Sequence, residues 1–319
     1  MDGRLWGTVM RSREIGALAD LGAEGLVAGD LREREVVDRA FNQSEPDLVF
    51  HLAAQASVAQ AWRDPWPTLE TNLRMSLHVL EAARARSEGG QATRVVFVSS
   101  NEVYGGPAPD TLPTDEDAPF APSNPYATSK AAADLLAGQY ARGYGMDVVR
   151  VRPFNHLGPG QDARFVAASF ARQIAEIEVG LRPPLVRVGN LSAERDFSDV
   201  RDIVRGYALA AVHGRPGRVY NLGRGEAVPV QALLDHFVAR ARVPVTVEAD
   251  PERMRPSDVP RTLCDRRRAE QELGWTPRLP LASSLDDVLA DWRTRVARAV
   301  DSESAPPPTP PNSELEGNG

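Results

Sequence analysis

The chain has 319 residues, with 37 basic and 44 acidic side chains and a formal net charge of −7, a balance that argues against a nucleic-acid-binding surface. With 42% hydrophobic and 25% charged residues it reads as a globular protein of one large or two medium domains. No uncharged apolar run approaches the roughly 18 residues of a membrane span and the Met-Asp-Gly-Arg start is no secretory signal, so a cytoplasmic protein is expected.

In chain order, β-branched apolar runs predict strands at Leu5–Met10, Gly25–Ala28, Leu48–Leu52, Arg94–Ser99 and Met146–Val151. Between them, 3.6-residue spacing predicts amphipathic helices over Arg13–Leu21, Glu33–Phe41, Thr68–Arg86 and Ser129–Tyr144. Gly22-Ala-Glu-Gly25-Leu-Val-Ala-Gly29 reads as a helix stop followed by a strand. Strand–helix alternation predicts an α/β fold with a doubly wound parallel Rossmann sheet, which binds ligands outside the carboxyl ends of its strands. The alternation breaks after about residue 155. Residues 1–155 are therefore expected to form the Rossmann domain and 156–300 mainly a smaller cap region with some return to the sheet. The proline-rich stretch 301–319 is expected to be disordered. A single cysteine, Cys264, and five scattered histidines leave neither a disulfide framework nor metal-ligand spacing.

Of the 37 basic residues, 36 are arginine and one is Lys130. Where arginine has replaced lysine almost everywhere, the survivor marks a site that needs a compact ammonium with a movable pKa. It stands in Asn124-Pro-Tyr126-Ala-Thr-Ser-Lys130, with tyrosine and lysine at i and i+4 on one helical face. There the ammonium is expected to lower the tyrosine pKa, so that the phenol can exchange a proton with a carbonyl or hydroxyl oxygen. A surface tyrosine–lysine pair is the plain alternative by spacing alone. Upstream, Val95-Val-Phe-Val-Ser99-Ser100-Asn101-Glu102-Val103-Tyr104-Gly105 is a strand ending in polar groups. Ser100 could donate to an oxygen also held by Tyr126.

These motifs resemble those of the extended short-chain dehydrogenase/reductases that act on nucleotide sugars. Within that family, Arg152-Pro-Phe-Asn155-His156-Leu-Gly-Pro159-Gly160-Gln161 and Val188-Gly-Asn-Leu-Ser-Ala-Glu-Arg195-Asp196-Phe-Ser-Asp-Val-Arg201-Asp202 are most similar to GDP-6-deoxy-D-mannose reductases. The resemblance, from about Arg4 to Arg298, implies that Tyr126 is the proton donor, Lys130 holds the nicotinamide ribose and Ser100 helps bind the reacting oxygen, beside Asn101 and Glu102. It implies cofactor contacts for Leu52-Ala53-Ala54-Gln55, Asp30-Leu31 and His156. It places Asn155, Asn190, Arg195, Arg255 and Asp258 on the nucleotide-sugar substrate, the two arginines as a diphosphate clamp. Arg11-Ser12-Arg13 ends the first strand, where arginines suit a 2′-phosphate, so NADPH is favoured over NADH. The implied reaction reduces the 4-keto group of GDP-4-keto-6-deoxy-D-mannose to GDP-D-rhamnose, in a homodimer paired through Thr68–Arg86 and Ser129–Tyr144. A GDP-mannose 4,6-dehydratase is the alternative, because Glu102 stands where that lyase keeps its base.

The family begins with a strand, a Gly-x-x-Gly-x-x-Gly turn and a helix that receives the cofactor pyrophosphate. Leu5–Met10 matches the family's second strand, so roughly 25 to 35 residues are expected to be absent from the front, with a start codon assigned too far downstream as the expected cause. The missing strand would leave a gap between sheet neighbours. A non-catalytic remnant that binds a nucleotide sugar or a partner is the reading opposed to catalysis.

Overall fold

The computed structural model describes residues 3–11, 22–254 and 259–304. The first elements are β1 (Trp6–Val9), β2 (Gly25–Ala28), α1 (Arg34–Ser44), β3 (Leu48–His51), α2 (Val58–Arg63), α3 (Pro65–Glu88), β4 (Arg94–Val98), α4 (Pro125–Tyr144) and β5 (Val148–Pro153). Every predicted strand is present, with ends trimmed in β1, β3 and β4, while β5 starts at Val148 rather than Met146 and runs on to Pro153. The helix predicted over Arg13–Leu21 lies outside the described residues. The remaining elements are β6 (His156–Leu157), α5 (Val166–Glu178), β7 (Leu185–Val188), β8 (Glu194–Asp196), β9 (Ser198–Asp199), α6 (Val200–His213), β10 (Val219–Leu222), β11 (Ala227–Pro229), α7 (Val230–Val238), β12 (Thr246–Ala249), α8 (Arg267–Leu273) and α9 (Leu281–Ser304). Helix α9 runs into the stretch expected to be disordered, because no helix-breaking proline occurs before Pro306. Residues 305–319 lie outside the described residues.

The main sheet has the order β10-β5-β4-β3, with all pairs parallel. Its centre is apolar on both faces, and the two-residue period of a strand divides the side chains between two helical layers. Val95, Phe97 and Val148 pack with α1, α3 and α4, while Val96, Val149 and Val151 pack with α6, α8 and Trp275. Ala133, Ala137 and Ala141 give α4 a flat face that seats it closely against α3 and the sheet. Residues after 155 thus serve two bodies. β10, α6 and α8 complete the sheet, while α5, α7, α9 and β7 enclose a separate core around Ile174, Phe237, Leu289 and Trp292.

β1 and β2 form a two-stranded parallel sheet of their own. Among the described residues no strand pairs with the free edge of β1 or of β3. α1 holds the pair to the main body, with Val37 and Phe41 packed against Val79 and Leu80 of α3. Two parallel strands are marginal without a further neighbour. Amide hydrogens of Trp6–Val9 and Gly25–Ala28 will therefore exchange about 100-fold faster than those of Val95–Phe97 and Val149–Val151. Equal protection in hydrogen-exchange mass spectrometry would show that the small sheet is bound as firmly as the large one.

Candidate active site

Because the main sheet is parallel, the chain leaves β3, β4 and β5 at one edge, and the polar groups predicted there gather on that edge. After Val98 the chain passes through the buried Ser99 and Ser100 into a single 3-10 turn, Asn101–Tyr104. Ser100 Oγ accepts the Glu102 N–H at 3.2 Å. The turn is pinned at its far end, where Tyr104 Oη donates to Asn221 Oδ1 and accepts from Arg152 Nη1, each at 2.8 Å. Gly105 closes the turn at φ 65°, and a Cβ there would sit 1.8 Å from the Ala121 carbonyl oxygen, so this position takes no side chain.

Facing the turn is the N-terminus of α4. Asn124 caps it by accepting the Ala127 N–H at 2.8 Å, and Pro125 occupies the first turn. Tyr126 is half-buried beside Ser100 and Glu102, and Lys130 is buried one turn on. Lys130 Nζ donates to the Val98 carbonyl at 2.6 Å and lies 5.6 Å from the Phe97 ring centre. Burial lowers its pKa to about 8, with the Asp134 charge opposing. The expectation that this ammonium lowers the tyrosine pKa is corrected: burial and then the Glu102 charge push Tyr126 up, against a pull from the Ser100 hydroxyl. The phenol is held in its protonated form.

The loop after β3 is tied to the same helix by a residue that motif reading passed over. Buried Asn72 of α3 accepts the Gln55 N–H at 2.7 Å and donates to the Gln55 carbonyl at 3.1 Å and to Ser129 Oγ at 2.8 Å. Ser129 Oγ donates to the Tyr126 carbonyl at 2.7 Å. The available signal was a polar stripe, Thr68, Asn72 and Ser76, recurring every fourth residue on the buried face of α3. Leu52 is exposed, and Ala53, Ala54 and Gln55 are half-buried.

Asn155 and His156 follow β5. The Asn155 carbonyl accepts the Ser198 N–H at 2.9 Å, and His156 Nδ1 lies 3.0 Å from the Phe154 carbonyl, its pKa lowered by burial. At the end of β2, the Asp30 carboxylate is engaged by the backbone and guanidinium of Arg32, which hold it below the usual carboxylate range. The Leu31 carbonyl lies 3.1 Å from His78 Nδ1. Arg11 is exposed just beyond β1. Asn190 is an exposed turn residue accepting from Ser192, and Arg195 on β8 donates to the Glu194 carbonyl at 2.9 Å. Ser12, Arg13, Arg255 and Asp258 lie outside the described residues, so half of the predicted arginine clamp has no position here.

His51, at the end of β3, supplies a pH test of this packing. It is buried with Nε2 3.1 Å from Ser76 Oγ, and burial, reinforced by the Lys130 charge, lowers its pKa to about 3. The unfolded chain protonates this imidazole near pH 6.5 and the folded protein does not. Its contribution is therefore complete above pH 6.5 and is lost as pH falls toward 3. At about 1.4 kcal/mol per pH unit, wild type will lose about 3 kcal/mol more than His51→Gln between pH 7 and pH 4, measured by urea unfolding. Parallel losses would place His51 in contact with water.

The GDP-mannose 4,6 dehydratase family model matches residues 20–288. The chain is 40% identical over 251 residues to the GDP-6-deoxy-D-mannose reductase of Pseudomonas aeruginosa, covering 79% of this chain and 82% of that protein. It is 32% identical over 256 residues to GDP-mannose 4,6 dehydratase 1 of Arabidopsis thaliana, covering 79% and 69%. The structure of RMD from P. aeruginosa, solved with NADPH, superposes with a TM-score of 0.79 at 34% identity, covering 92% of this chain and 99% of that one. With the parallel sheet and the Ser100–Tyr126–Lys130 constellation at its carboxyl edge, these matches show that the chain belongs to the GDP-mannose 4,6-dehydratase family and is an NAD(P)-dependent enzyme of the extended short-chain dehydrogenase/reductase type.

Proposed function

We propose that the protein reduces the 4-keto group of GDP-4-keto-6-deoxy-D-mannose to GDP-D-rhamnose with NADPH, acting as a cytoplasmic homodimer. The observation that carries this reading is geometric: Tyr126, buried Lys130 on the Val98 carbonyl and buried Ser100 gather at the carboxyl edge of the sheet. When bound, NADPH supplies the hydride. Ser100 and Tyr126 hold the keto oxygen, and Tyr126 Oη gives it a proton as it becomes a hydroxyl. Lys130 fits the nicotinamide ribose: it is a buried ammonium with three donors, one of them spent on the Val98 carbonyl. Arg11, with Ser12 and Arg13, is assigned to the 2′-phosphate, Leu52–Gln55, Asp30, Leu31 and His156 to the rest of the cofactor, and Asn155, Asn190, Arg195, Arg255 and Asp258 to the GDP-sugar. Among the described residues no glycine-rich strand–turn–helix is present to receive the diphosphate.

The exposed Leu73, Leu77 and Leu135 of α3 and α4 support pairing through these two helices. A monomeric mass by light scattering at micromolar protein would refute it. The second reading, a GDP-mannose 4,6-dehydratase, is favoured by the Glu102 carboxylate held against the Tyr126 site. Two incubations decide between them. Oxidation of NADPH with the 4-keto sugar supports the reductase, whereas a 4-keto-6-deoxy product from GDP-mannose alone supports the lyase. Sugar binding with neither turnover would leave the non-catalytic reading.

A further inference from the structure

We propose that Asp196 is a positioning residue for the diphosphate of the nucleotide sugar: its buried carboxylate clasps the strand that carries Arg195 to two other segments, one of which follows Arg255–Asp258 in the chain. The proposal deepens the nucleotide-sugar part of the reading above, rests on Arg195 and Arg255 meeting the diphosphate, and holds for reductase and lyase alike. β8 lies between two neighbours. On one side β11 runs antiparallel to it, with Val228 opposite Arg195 and Ala227 opposite Asp196. On the other, the chain at 260–262 runs parallel to it: the Glu194 N–H donates to the Pro260 carbonyl at 2.8 Å, and the Glu194 carbonyl accepts the Thr262 N–H at 3.1 Å. Successive side chains of a strand point to opposite faces. Asp196 turns inward, with no solvent exposure, and leaves the half-buried Arg195 on the other face.

The Asp196 carboxylate accepts three backbone N–H groups, from Arg224 at 2.7 Å, Gly225 at 2.8 Å and Cys264 at 3.0 Å. The first two are successive amides of the turn after β10. Such a pair makes an anion-binding concavity, which the chain here fills with its own side chain. The turn also presses on the third donor, since a Cβ at Gly223 would lie 2.5 Å from the Cβ of Cys264. Burial raises the Asp196 pKa to about 6 against the pull of the three N–H groups, so at neutral pH both oxygens are free to accept. Asparagine fills the same space with one oxygen, and its amide would face an N–H with another donor. One carboxylate thus sets the spacing between β8 and the segment that follows Arg255–Asp258, the two mounts of the arginines.

The test uses GDP as the probe. In titration calorimetry at neutral pH, Asp196→Asn is expected to bind GDP about tenfold more weakly than wild type. With the sugar that the enzyme turns over, KM is expected to rise by a similar factor while kcat stays within about twofold. Asp202→Asn is the control, because Asp202 of α6 is also buried and accepts the Arg278 and Leu279 N–H groups, each at 2.8 Å. Its GDP affinity is expected to stay within about twofold of wild type. Unchanged GDP affinity in Asp196→Asn, an equal fall in both variants, or a fall in kcat with KM unmoved overturns the proposal. Wild type that binds no GDP refutes the GDP-sugar reading, and the clasp with it. Should Asp196→Asn not fold, hydrogen exchange of wild type decides. Saturating GDP is expected to slow exchange at 223–225 and 262–264 about tenfold more than at Arg278 and Leu279, and equal slowing overturns the clasp.

Discussion

Tyr126→Phe will lower kcat for keto-sugar reduction roughly 10³-fold, the loss typical of removing a positioned general acid. Only the hydroxyl is removed, and the half-buried ring is kept. Substrate KM and the unfolding midpoint should therefore stay close to wild type. The expected split separates Tyr126 from Ser100, whose Oγ also accepts the Glu102 N–H and whose loss disturbs the turn as well as the site. Steady-state kinetics with NADPH and the 4-keto sugar check this. A fall of less than tenfold would mean that another group delivers the proton. Lys130→Arg is no conservative change at the neighbouring position, because the wide guanidinium must fit where a compact Nζ meets the Val98 carbonyl at 2.6 Å.

The second large effect is on stability. Asp134, one turn beyond Lys130 on α4, has no solvent exposure and accepts from Arg150 Nη1 at 2.9 Å and from Arg152 Nε and Nη2 at 2.9 and 3.1 Å. Gly138, a further turn along, leaves room for this packing: a Cβ there would lie 2.8 Å from Arg150 Nη1. Arg152 also lies within cation–π distance of the Tyr104 and Phe120 rings, 5.1 and 4.6 Å from their centres, and donates to Tyr104 Oη, so the cluster reaches the turn that carries Glu102. Asp134→Ala leaves two guanidinium groups buried without their carboxylate and will cost about 3–5 kcal/mol in urea unfolding at pH 7. It also removes the charge that favours the Lys130 ammonium. Glu88→Ala, which breaks an exposed pair with Arg84 on α3, serves as the control and will cost under about 1 kcal/mol. Equal costs for the two variants would mean that the Asp134 cluster is solvated.

These two experiments fall on opposite sides of what could be read in one dimension. Tyr126 and Lys130 announce themselves because a helix brings i and i+4 together whatever surrounds it, and because one lysine among 36 arginines needs a reason. Ser100 and Glu102 are equally local, since a strand that runs out of apolar residues ends there. The Asp134–Arg152–Tyr104 cluster is not local. Asp134 and Arg152 are 18 residues apart and Arg152 and Tyr104 are 48 apart, and each alone reads as one more polar residue. Asn72 and Ser129, 57 residues apart, meet only because α3 packs against α4.

By itself the sequence determined the αβ alternation, the places of the strands around the site, the Tyr126–Lys130 pair and the polar end of β4, because each follows from a short period or a short motif. The tertiary structure decided three things. It seated β10 beside β5 in the main sheet, left β1 and β2 as a sheet of their own, and turned the shift at Tyr126 upward rather than downward. Strand neighbours are chosen by long-range packing, and the sign of a pKa shift is set by burial and by charges brought in from elsewhere in the fold. Neither is encoded in the spacing of nearby residues.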